Sequence, residues 1–425
     1  MPGILQSLQL SGAGTRLVGM TRLQMFGLIA LVSLPLLAAC GTPGEATARW
    51  SGTMDTLPSG QIRVHNTATP ILPLTHSWRI VEELRIGTMD GDGPDLLGEV
   101  RWLEADPAGR IWVLEGQALE IRVFEPDGSY VRTIGREGGG PGEFSYPLHI
   151  QLGPDGNMWV TDPQNNRISV FDTAGTYLEG KRMPGGFVIM PWPGGFDTAG
   201  HHYGPIPLPS DDEGFNLGLV KYDATFEPLD TLAVPSDPVE REYFEIRRED
   251  SFWRQGIPYS GGFDWRLAPS GAVWGMFTDE YRLFELSAAG DTVRTITRDF
   301  TPLPVTEADM ERAREQMESF IQNGGKVDWS KIPSSKPATE EMYVDDGGNV
   351  WVRLVTAFGD RGRAFDVFDP DGRFLCTVRT AFSIARFPPP IFRNGYVFAV
   401  VEDDLEIPYV VRARIERPDR QSAVR

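Results

Sequence analysis

The chain contains few cysteines and few histidines, and it has fewer basic than acidic residues. Two cysteines and five histidines occur in 425 residues, so a fold stapled by several disulfides is excluded. Lys and Arg number 40 against 59 Asp and Glu, which gives a formal net charge of −19 at pH 7. A surface of this sign repels a phosphate backbone, and we therefore expect no nucleic-acid partner. The sequence also lacks a metal-ligand run, a phosphate-binding loop and a nucleophile elbow.

Glycine and proline, by contrast, are abundant. The chain has 47 Gly and 34 Pro residues spread along its length, which favours many short strands joined by tight turns over long helices. Hydrophobic residues make up 41% of the chain and aromatic residues 11%, enough to bury a large core. Cys376 lies in an apolar run and is interpreted as a small core residue. These features indicate an all-β fold built from repeats.

The N-terminus has the pattern of an export signal. Two arginines precede an apolar stretch at residues 25–37, which is too short for an ordinary membrane-spanning helix. It ends in Leu37-Ala38-Ala39-Cys40, a quartet that resembles the bacterial lipobox, in which cleavage precedes a lipid-modified cysteine. We therefore predict a signal peptide at residues 1–39, lipidation of Cys40, and an exported protein of the cell envelope that is anchored to a membrane. A plain secretory signal, with Cys40 incidental, is the alternative.

A short motif recurs six times after residue 100. It consists of a glycine, two further residues and a large apolar residue that begins a β-prone run. Turn-forming residues precede the glycine, where a positive φ is expected. Successive copies are 44 to 77 residues apart, and the shorter intervals match one four-stranded propeller blade. The copies lie at Gly109–Trp112, Gly156–Trp159, Gly200–Tyr203, Gly271–Trp274, Gly348–Trp351 and Gly395–Phe398.

Within a repeat, a second apolar run ends in an acidic corner. Near copies of it stand at 123–128, 170–175 and 367–372, and they are typical of a strand, an Asp-Gly hairpin and a further strand. The unit at 144–178, which contains Asn165-Asn166-Arg167, closely resembles the NHL repeat. This resemblance implies a six-bladed β-propeller of the NHL type, and we predict that architecture for residues 77–418.

The two ends of this region are expected to close the ring. The last repeat stops without an outer strand, whereas the β-prone run Trp78–Ile86 stands before the first repeat. We predict that this run supplies the missing strand of the last blade, so that no sheet edge stays open. Residues 40–76, rich in Gly, Pro, Ser and Thr, are predicted to be a lipid-anchored tether, and 419–425 a tail.

Two long intervals between repeats predict insertions near 235–262 and 302–338. The second contains a predicted helix at 306–323, which opens with a capping pair, Thr306 and Asp309. Its apolar stripe is expected to pack on the propeller rim, with a lid over the channel or a partner-binding helix as alternatives. The stripe comprises Met310, Ala313, Met317, Phe320 and Ile321. The other insertion, charged and aromatic, is expected to be a loop.

The repeat register also selects residues for the central channel, which the innermost strand of each blade lines. Seven positions before the repeat glycines stand Trp102, His149, Pro193, Asp264, Glu341 and Pro388. The ionisable members, His149, Asp264 and Glu341, are candidates to contact one axial ligand, either a divalent cation or a polar molecule. With His149 as a cation ligand, affinity is expected to weaken below about pH 6.5. A wet, polar channel wall without a ligand is the alternative interpretation.

Two main classes of function fit these features. We favour a monomeric, membrane-anchored binding or scaffold module for a protein, peptide or glycan, since a propeller offers a broad rim and a funnel. The alternative is a metal-dependent enzyme with its site in the channel, because NHL-like and related propellers include lactonases and a peptide-amidating lyase. This chain departs from the lyase pattern, since only His149 of its five histidines falls on a predicted channel strand. A purely structural envelope component is a third interpretation.

Overall fold

In the part of the chain that the structure describes, the sheets form six blades and one separate hairpin. The computed structural model describes residues 49–182, 195–208, 216–234, 241–248, 251–287, 289–357, 359 and 362–418. Three strands precede the first blade, with a 3₁₀ turn at Leu74–His76 between the last two: β1 (Thr53–Thr56), β2 (Ile62–Asn66) and β3 (Arg79–Ile86). The predicted six-bladed β-propeller is therefore confirmed.

Blades 1 to 3 follow as antiparallel sheets. Blade 1 consists of β4 (Val100–Ala105), β5 (Ile111–Glu115), β6 (Glu120–Phe124) and β7 (Tyr130–Ile134). Blade 2 consists of β8 (His149–Leu152), β9 (Met158–Asp162), β10 (Arg167–Phe171) and β11 (Tyr177–Arg182). In the described residues, blade 3 consists of β12 (His202–Leu208), β13 (Asn216–Tyr222) and β14 (Pro228–Ala233). Residues 183–194, which precede these strands, lie outside the described residues.

The second half of the chain contains both insertions and the remaining blades. A hairpin, β15 (Tyr243–Arg248) and β16 (Ser251–Gly256), precedes blade 4, which consists of β17 (Phe263–Leu267), β18 (Val273–Phe277), β19 (Arg282–Leu286) and β20 (Thr292–Arg298). Helix α1 (Glu307–Gln322) and a 3₁₀ turn (Trp329–Lys331) lead to blade 5, with β21 (Thr339–Val344), β22 (Val350–Leu354), β23 (Ala364–Phe368) and β24 (Phe374–Arg379). Blade 6 consists of β25 (Ile391–Arg393), β26 (Tyr396–Glu402) and β27 (Pro408–Glu416), completed by β3.

The repeat motif marks the turn between the first and second strands of each blade. All six repeat glycines have φ between 76° and 86°, a conformation that side chains with a Cβ disfavour. The large residue three positions later is buried in every copy, as in Trp112 and Trp351. In these two copies the indole Nε1 donates to an aspartate in the preceding turn, Asp106 at 3.4 Å and Asp345 at 3.1 Å. This hydrogen bond connects the turn between the first two strands to a tryptophan of the hydrophobic core.

The ring closes through the N-terminal strand β3, as predicted from the run Trp78–Ile86. Strand β3 pairs antiparallel with β27, from Arg79 opposite Glu416 to Ile86 opposite Val410. Ile80 and Ile86 are buried in two different clusters, one shared with blade 5 and one shared with blade 1. Blade 6 is thus built from both ends of the domain, and β3 covers the outer edge of β27.

The expected tether at 40–76 does not hold for its second half. Strands β1 and β2 form a hairpin, and β2 pairs parallel with β20, which extends blade 4 to six strands. Val64 is 1% exposed and packs with Ile296 in the core. The polar composition of 53–66 concealed this pairing, because a parallel strand far away in sequence leaves no local signal. Residues 40–48 lie outside the described part of the chain.

Helix α1 packs on the other insertion, contrary to the expected packing on the propeller rim. Its capping box is present, with the Thr306 side chain and Asp309 bonded reciprocally. Met317 and Phe320 are buried against Phe244 and Ile257, from the hairpin and the residues that follow it. The predicted loop at 235–262 therefore contains a β-hairpin. Both insertions arise in links between blades, so they emerge at the same end of the propeller and can pack together. Within the described residues, no helix is long and apolar enough to cross a membrane.

Candidate functional site

The predicted channel residues lie near one end of the inner strands. The link from one blade to the next leads into the first residues of each inner strand, and we call this end of the propeller the connector face. His149 is the first residue of β8, Asp264 the second of β17 and Glu341 the third of β21. All three therefore lie towards the connector face, where α1 also arises. Pro193 lies outside the described residues.

His149 is a buried, neutral side chain. It is 5% exposed, and its ring stands edge-on to Trp102, with the ring centroids 4.3 Å apart. Burial, reinforced by the nearby His202, lowers the pKa of His149 to about 3. This low pKa would move the loss of affinity that is expected below about pH 6.5 to a lower pH, and the pH dependence of binding stays a prediction. Protonation of the folded protein at His149 requires a pH near 3.

Asp264 links blade 4 to blade 5. Its Oδ1 lies 2.6 Å from Nη1 of Arg266, and its Oδ2 accepts a hydrogen bond from the backbone N–H of Met342 at 3.0 Å. Burial raises the pKa of Asp264, against the opposing effect of Arg266. Glu341 raises it further, which places these two carboxylates in one electrostatic network.

Glu341 is the centre of that network. Its Oε2 accepts hydrogen bonds from the Tyr343 hydroxyl at 2.5 Å and from Nη1 of Arg353 at 3.3 Å. Its Oε1 lies 3.4 Å from Nε of Arg386. Arg353 is fully buried and also lies 3.0 Å from Glu340, between its Nε and the carboxylate Oε2. The carboxylates are thus matched by guanidinium groups, which is what permits their burial.

The structure brings Asp264 and Glu341 together but gives His149 different neighbours. The contacts of His149 are with Trp102 on blade 1, whereas both carboxylates belong to the network of blades 4 and 5. In the described residues, no group of three or more His, Cys, Asp or Glu side chains could hold a metal ion. The three residues that share a register position therefore do not form a single metal-ligand set.

Two unlike walls result at the mouth of the channel. Blades 6, 1 and 2 contribute an aromatic wall of Phe387, Trp102 and His149, and Phe387 is 44% exposed at 5.9 Å from Trp102. Blades 4 and 5 contribute the charged wall, in which the Arg386 side chain is 67% exposed. The two walls lie on different blades and meet at Arg386 and Phe387, which are adjacent in sequence.

Sequence reasoning missed most of the partners in the charged wall. Arg266 and Tyr343 each stand two positions after a predicted channel residue, and residues two apart on a strand point to the same side. Extending the repeat register by two positions would have found them. Arg353 lies on the second strand of blade 5, and nothing in its local sequence indicates that it reaches the inner strand.

Comparison with known proteins agrees with this architecture. The model of a family described as a six-bladed β-propeller matches residues 96–195, which cover blades 1 and 2. No curated protein sequence matches the chain significantly.

Several solved structures are similar at low identity. A Bacteroides fragilis protein described as exported is 12% identical, over 83% of this chain and 99% of its own, with a TM-score of 0.45. The aldose sugar dehydrogenase of Streptomyces coelicolor is 12% identical, over 80% and 99%, with a TM-score of 0.40. Virginiamycin B lyase of Staphylococcus aureus is 10% identical, over 74% and 94%, with a TM-score of 0.38. These similarities carry no argument about function. The chain is a six-bladed β-propeller by its structure and by the family model that matches part of it.

Proposed function

We propose that this protein is an exported, lipid-anchored binding protein whose propeller takes a peptide or glycan at the mouth of the channel. The signal-like N-terminus and the quartet Leu37-Ala38-Ala39-Cys40 support export and anchoring. The described part of the chain begins at residue 49, and its first strand is β1. Such an anchor would attach the propeller to a membrane.

The pairing of an aromatic wall with a charged wall carries the proposal. Peptides and glycans combine apolar faces with many hydrogen-bonding groups, so they match a site that offers both kinds of surface. Phe387 and Arg386 are adjacent in sequence and are the exposed members of the two walls. A ligand that enters from the connector face meets these two side chains first, with Asp264, Glu341 and His149 deeper.

The alternative of a metal-dependent enzyme receives less support from the geometry. A divalent cation needs several donor side chains at one point. Asp264 and Glu341 already bind guanidinium groups. The positive charge of these guanidinium groups opposes the binding of a cation to the same carboxylates. His149 is neutral and thus able to coordinate, but its contacts lie on the aromatic wall. Elemental analysis of the purified protein tests this alternative, and a stoichiometric metal that is lost in Glu341→Gln would favour the enzyme.

The binding proposal is tested on glycan and peptide arrays with the protein from residue 41 onwards. The double variant Asp264→Asn, Glu341→Gln keeps the side-chain shapes and removes two charges from the charged wall. Its control, Glu125→Gln with Asp127→Asn, removes two charges from a turn on the opposite end of blade 1. We expect spots bound by the wild type and the control to be lost with the channel variant. Equal binding by all three proteins would remove the channel mouth as the site.

Export and anchoring are tested separately in cells. Cys40→Ser is expected to leave an unprocessed, unlipidated precursor, because the thiol that carries the lipid is absent. Incorporation of a fatty-acid analogue is measured for wild type, Cys40→Ser and the control Cys376→Ser. Equal labelling of wild type and Cys40→Ser would show that Cys40 is not the lipidation site.

A further inference from the structure

A cavity of about 430 Å³ lies between blades 4 and 5, apart from the channel wall described above. Its volume falls within the range of about 300–1,000 Å³ that small-molecule sites occupy. Links between blades and strand ends at the connector face line it, including Tyr281, Arg298, Phe300, Leu354, Val355 and Arg379. None of the residues of the two channel walls belongs to its lining.

Most of the cavity surface is apolar and comes from separate elements. Phe300 follows β20, Leu354 ends β22, and Ala364 begins β23. Ala364 is buried and stands opposite Arg379 in the pairing of β23 with β24. Cross-strand partners point to the same side of a sheet, so the small side chain of Ala364 leaves space beside the long side chain of Arg379. This combination accounts for a recess with a cation at its edge.

The floor of the cavity is rigid and its charge is balanced. Asp366 is fully buried. Its Oδ1 accepts a hydrogen bond from the Thr377 hydroxyl at 2.6 Å. Its Oδ2 lies 2.9 Å from Nη1 of Arg298 and accepts a hydrogen bond from the Tyr281 hydroxyl. Burial raises the pKa of Asp366, against the opposing charge of Arg298. These groups satisfy one another, so the floor holds Arg298 and Tyr281 in fixed positions.

Arg379 is the remaining cation of the lining. Its side chain is exposed, and within the described part of the chain it makes neither a hydrogen bond nor an ion pair. Asp299, the acidic residue of the lining, points its Oδ1 at His65 Nε2, 3.4 Å away. A guanidinium with open donors beside an apolar recess fits a carboxylate attached to an apolar body, because arginine binds carboxylates through paired, charge-assisted hydrogen bonds.

We propose that this cavity is a second binding site, specific for a small organic carboxylate whose apolar part fills the recess and whose charged group binds Arg379. An amine would be repelled by Arg379. An inorganic anion would leave the apolar walls empty. The site is independent of the channel mouth, so its ligand binds whether or not the channel is occupied.

Calorimetric titration of the protein from residue 41 onwards with 3-phenylpropionate tests the proposal. The uncharged 3-phenyl-1-propanol and the small carboxylate acetate serve as probes that lack one half of the required chemistry. We expect saturable binding of 3-phenylpropionate and affinities at least about tenfold weaker for the other two compounds. An alcohol that binds as tightly as the acid, or an acid that fails to saturate at millimolar concentration, would overturn the site.

Two variants and two controls locate the binding. Arg379 lies on the surface, so Arg379→Gln is expected to leave the melting temperature unchanged. It should weaken the affinity for 3-phenylpropionate by about tenfold or more. Ala364→Leu is expected to abolish binding by filling the recess. Arg79→Gln, at another exposed arginine on an outer strand, should bind like the wild type, as should the channel variant Asp264→Asn, Glu341→Gln. Unchanged affinity of Arg379→Gln for 3-phenylpropionate would contradict the cavity site. Loss of affinity in the channel variant would also contradict it, and would show that the ligand binds in the channel.

Discussion

Asp264 on blade 4 accepts a hydrogen bond from the backbone N–H of Met342 on blade 5, with 3.0 Å between Oδ2 and N. The same carboxylate holds Arg266 at 2.6 Å. A residue that we place in the ligand site thus also joins two blades, and variants of it report on both roles. For this reason the binding tests use Asn, which keeps an oxygen acceptor.

Asp264→Ala is expected to lower the free energy of unfolding by about 2–4 kcal/mol, because it leaves a buried N–H and a largely buried guanidinium without their partner. Asp264→Asn should lower it by less, since the amide oxygen can still accept from Met342. Urea unfolding measures both values. The interpretation would be contradicted if the two variants were equally stable, because the backbone hydrogen bond would then contribute nothing.

Acid should destabilise the protein through its buried histidines. Burial lowers the pKa of both His149 and His202 to about 3, with His202 adding to the effect on His149. In the unfolded chain each histidine has a pKa near 6.5. Below that pH the unfolded state therefore binds a proton at each histidine, whereas the folded state leaves both histidines neutral. Stability is therefore complete above pH 6.5 and is lost as the pH falls from 6.5 towards 3.

The expected loss is about 2 kcal/mol per histidine at pH 5. His149→Phe, which fills the same buried space beside Trp102, should retain more of its stability between pH 7 and pH 5 than the wild type does. The exposed His65 is a control position, and His65→Gln should follow the wild type. Parallel stability curves for His149→Phe and wild type over this pH range would show that His149 is not a buried neutral group.

The N-terminal segment should stabilise the propeller at two places. Asn66 is fully buried on the outside of blade 4. Its Oδ1 accepts from the Phe374 N–H at 2.8 Å and from Trp50 Nε1 at 2.9 Å, and its Nδ2 donates to the Gly372 carbonyl at 3.0 Å. Asn66→Ala is expected to cost about 2–4 kcal/mol, because it leaves buried polar groups on blade 5 without partners.

Truncations separate the two places. A chain that begins at residue 71 lacks β1 and β2 and should melt at a lower temperature than one that begins at 49. A chain that begins at residue 89 also lacks β3 and should be far less stable, because blade 6 then loses its outer strand and exposes its edge. Equal melting temperatures for the chains that begin at 71 and 89 would contradict closure through β3.

The repeat pattern was sufficient to predict the blades, because in every copy the glycine forms the turn and the large apolar residue packs in the core. Gly348 has a positive φ and Trp351 is buried, as the motif requires. Closure through Trp78–Ile86 followed from counting strands. The pairing of β2 with β20 could not be predicted, since Thr and Asn in 53–66 are equally typical of a tether, and only the distant partner strand makes Asn66 a core residue.

The candidate site was predictable in position but not in detail. Counting back from the repeat glycines placed Asp264 and Glu341 on inner strands, and the structure joins them in one network. Two of the arginines that neutralise this network, Arg353 and Arg386, come from a second strand and from a link between blades. His149 shares the register position, yet its ring packs on Trp102, because side chains of inner strands reach towards the neighbouring blade as well as the axis.

The most direct test of the account is the affinity of a glycan or peptide found on the arrays, measured for wild type and Arg386→Ala by calorimetry. The Arg386 side chain is 67% exposed at the channel mouth, and Arg353 still pairs with Glu341 in its absence, so its loss should leave folding unchanged. We expect affinity to fall by about tenfold or more, as for a charge-assisted hydrogen bond, whereas Arg79→Ala on the outer strand of blade 6 should bind like the wild type. Equal affinities for all three proteins would contradict ligand binding at the channel mouth.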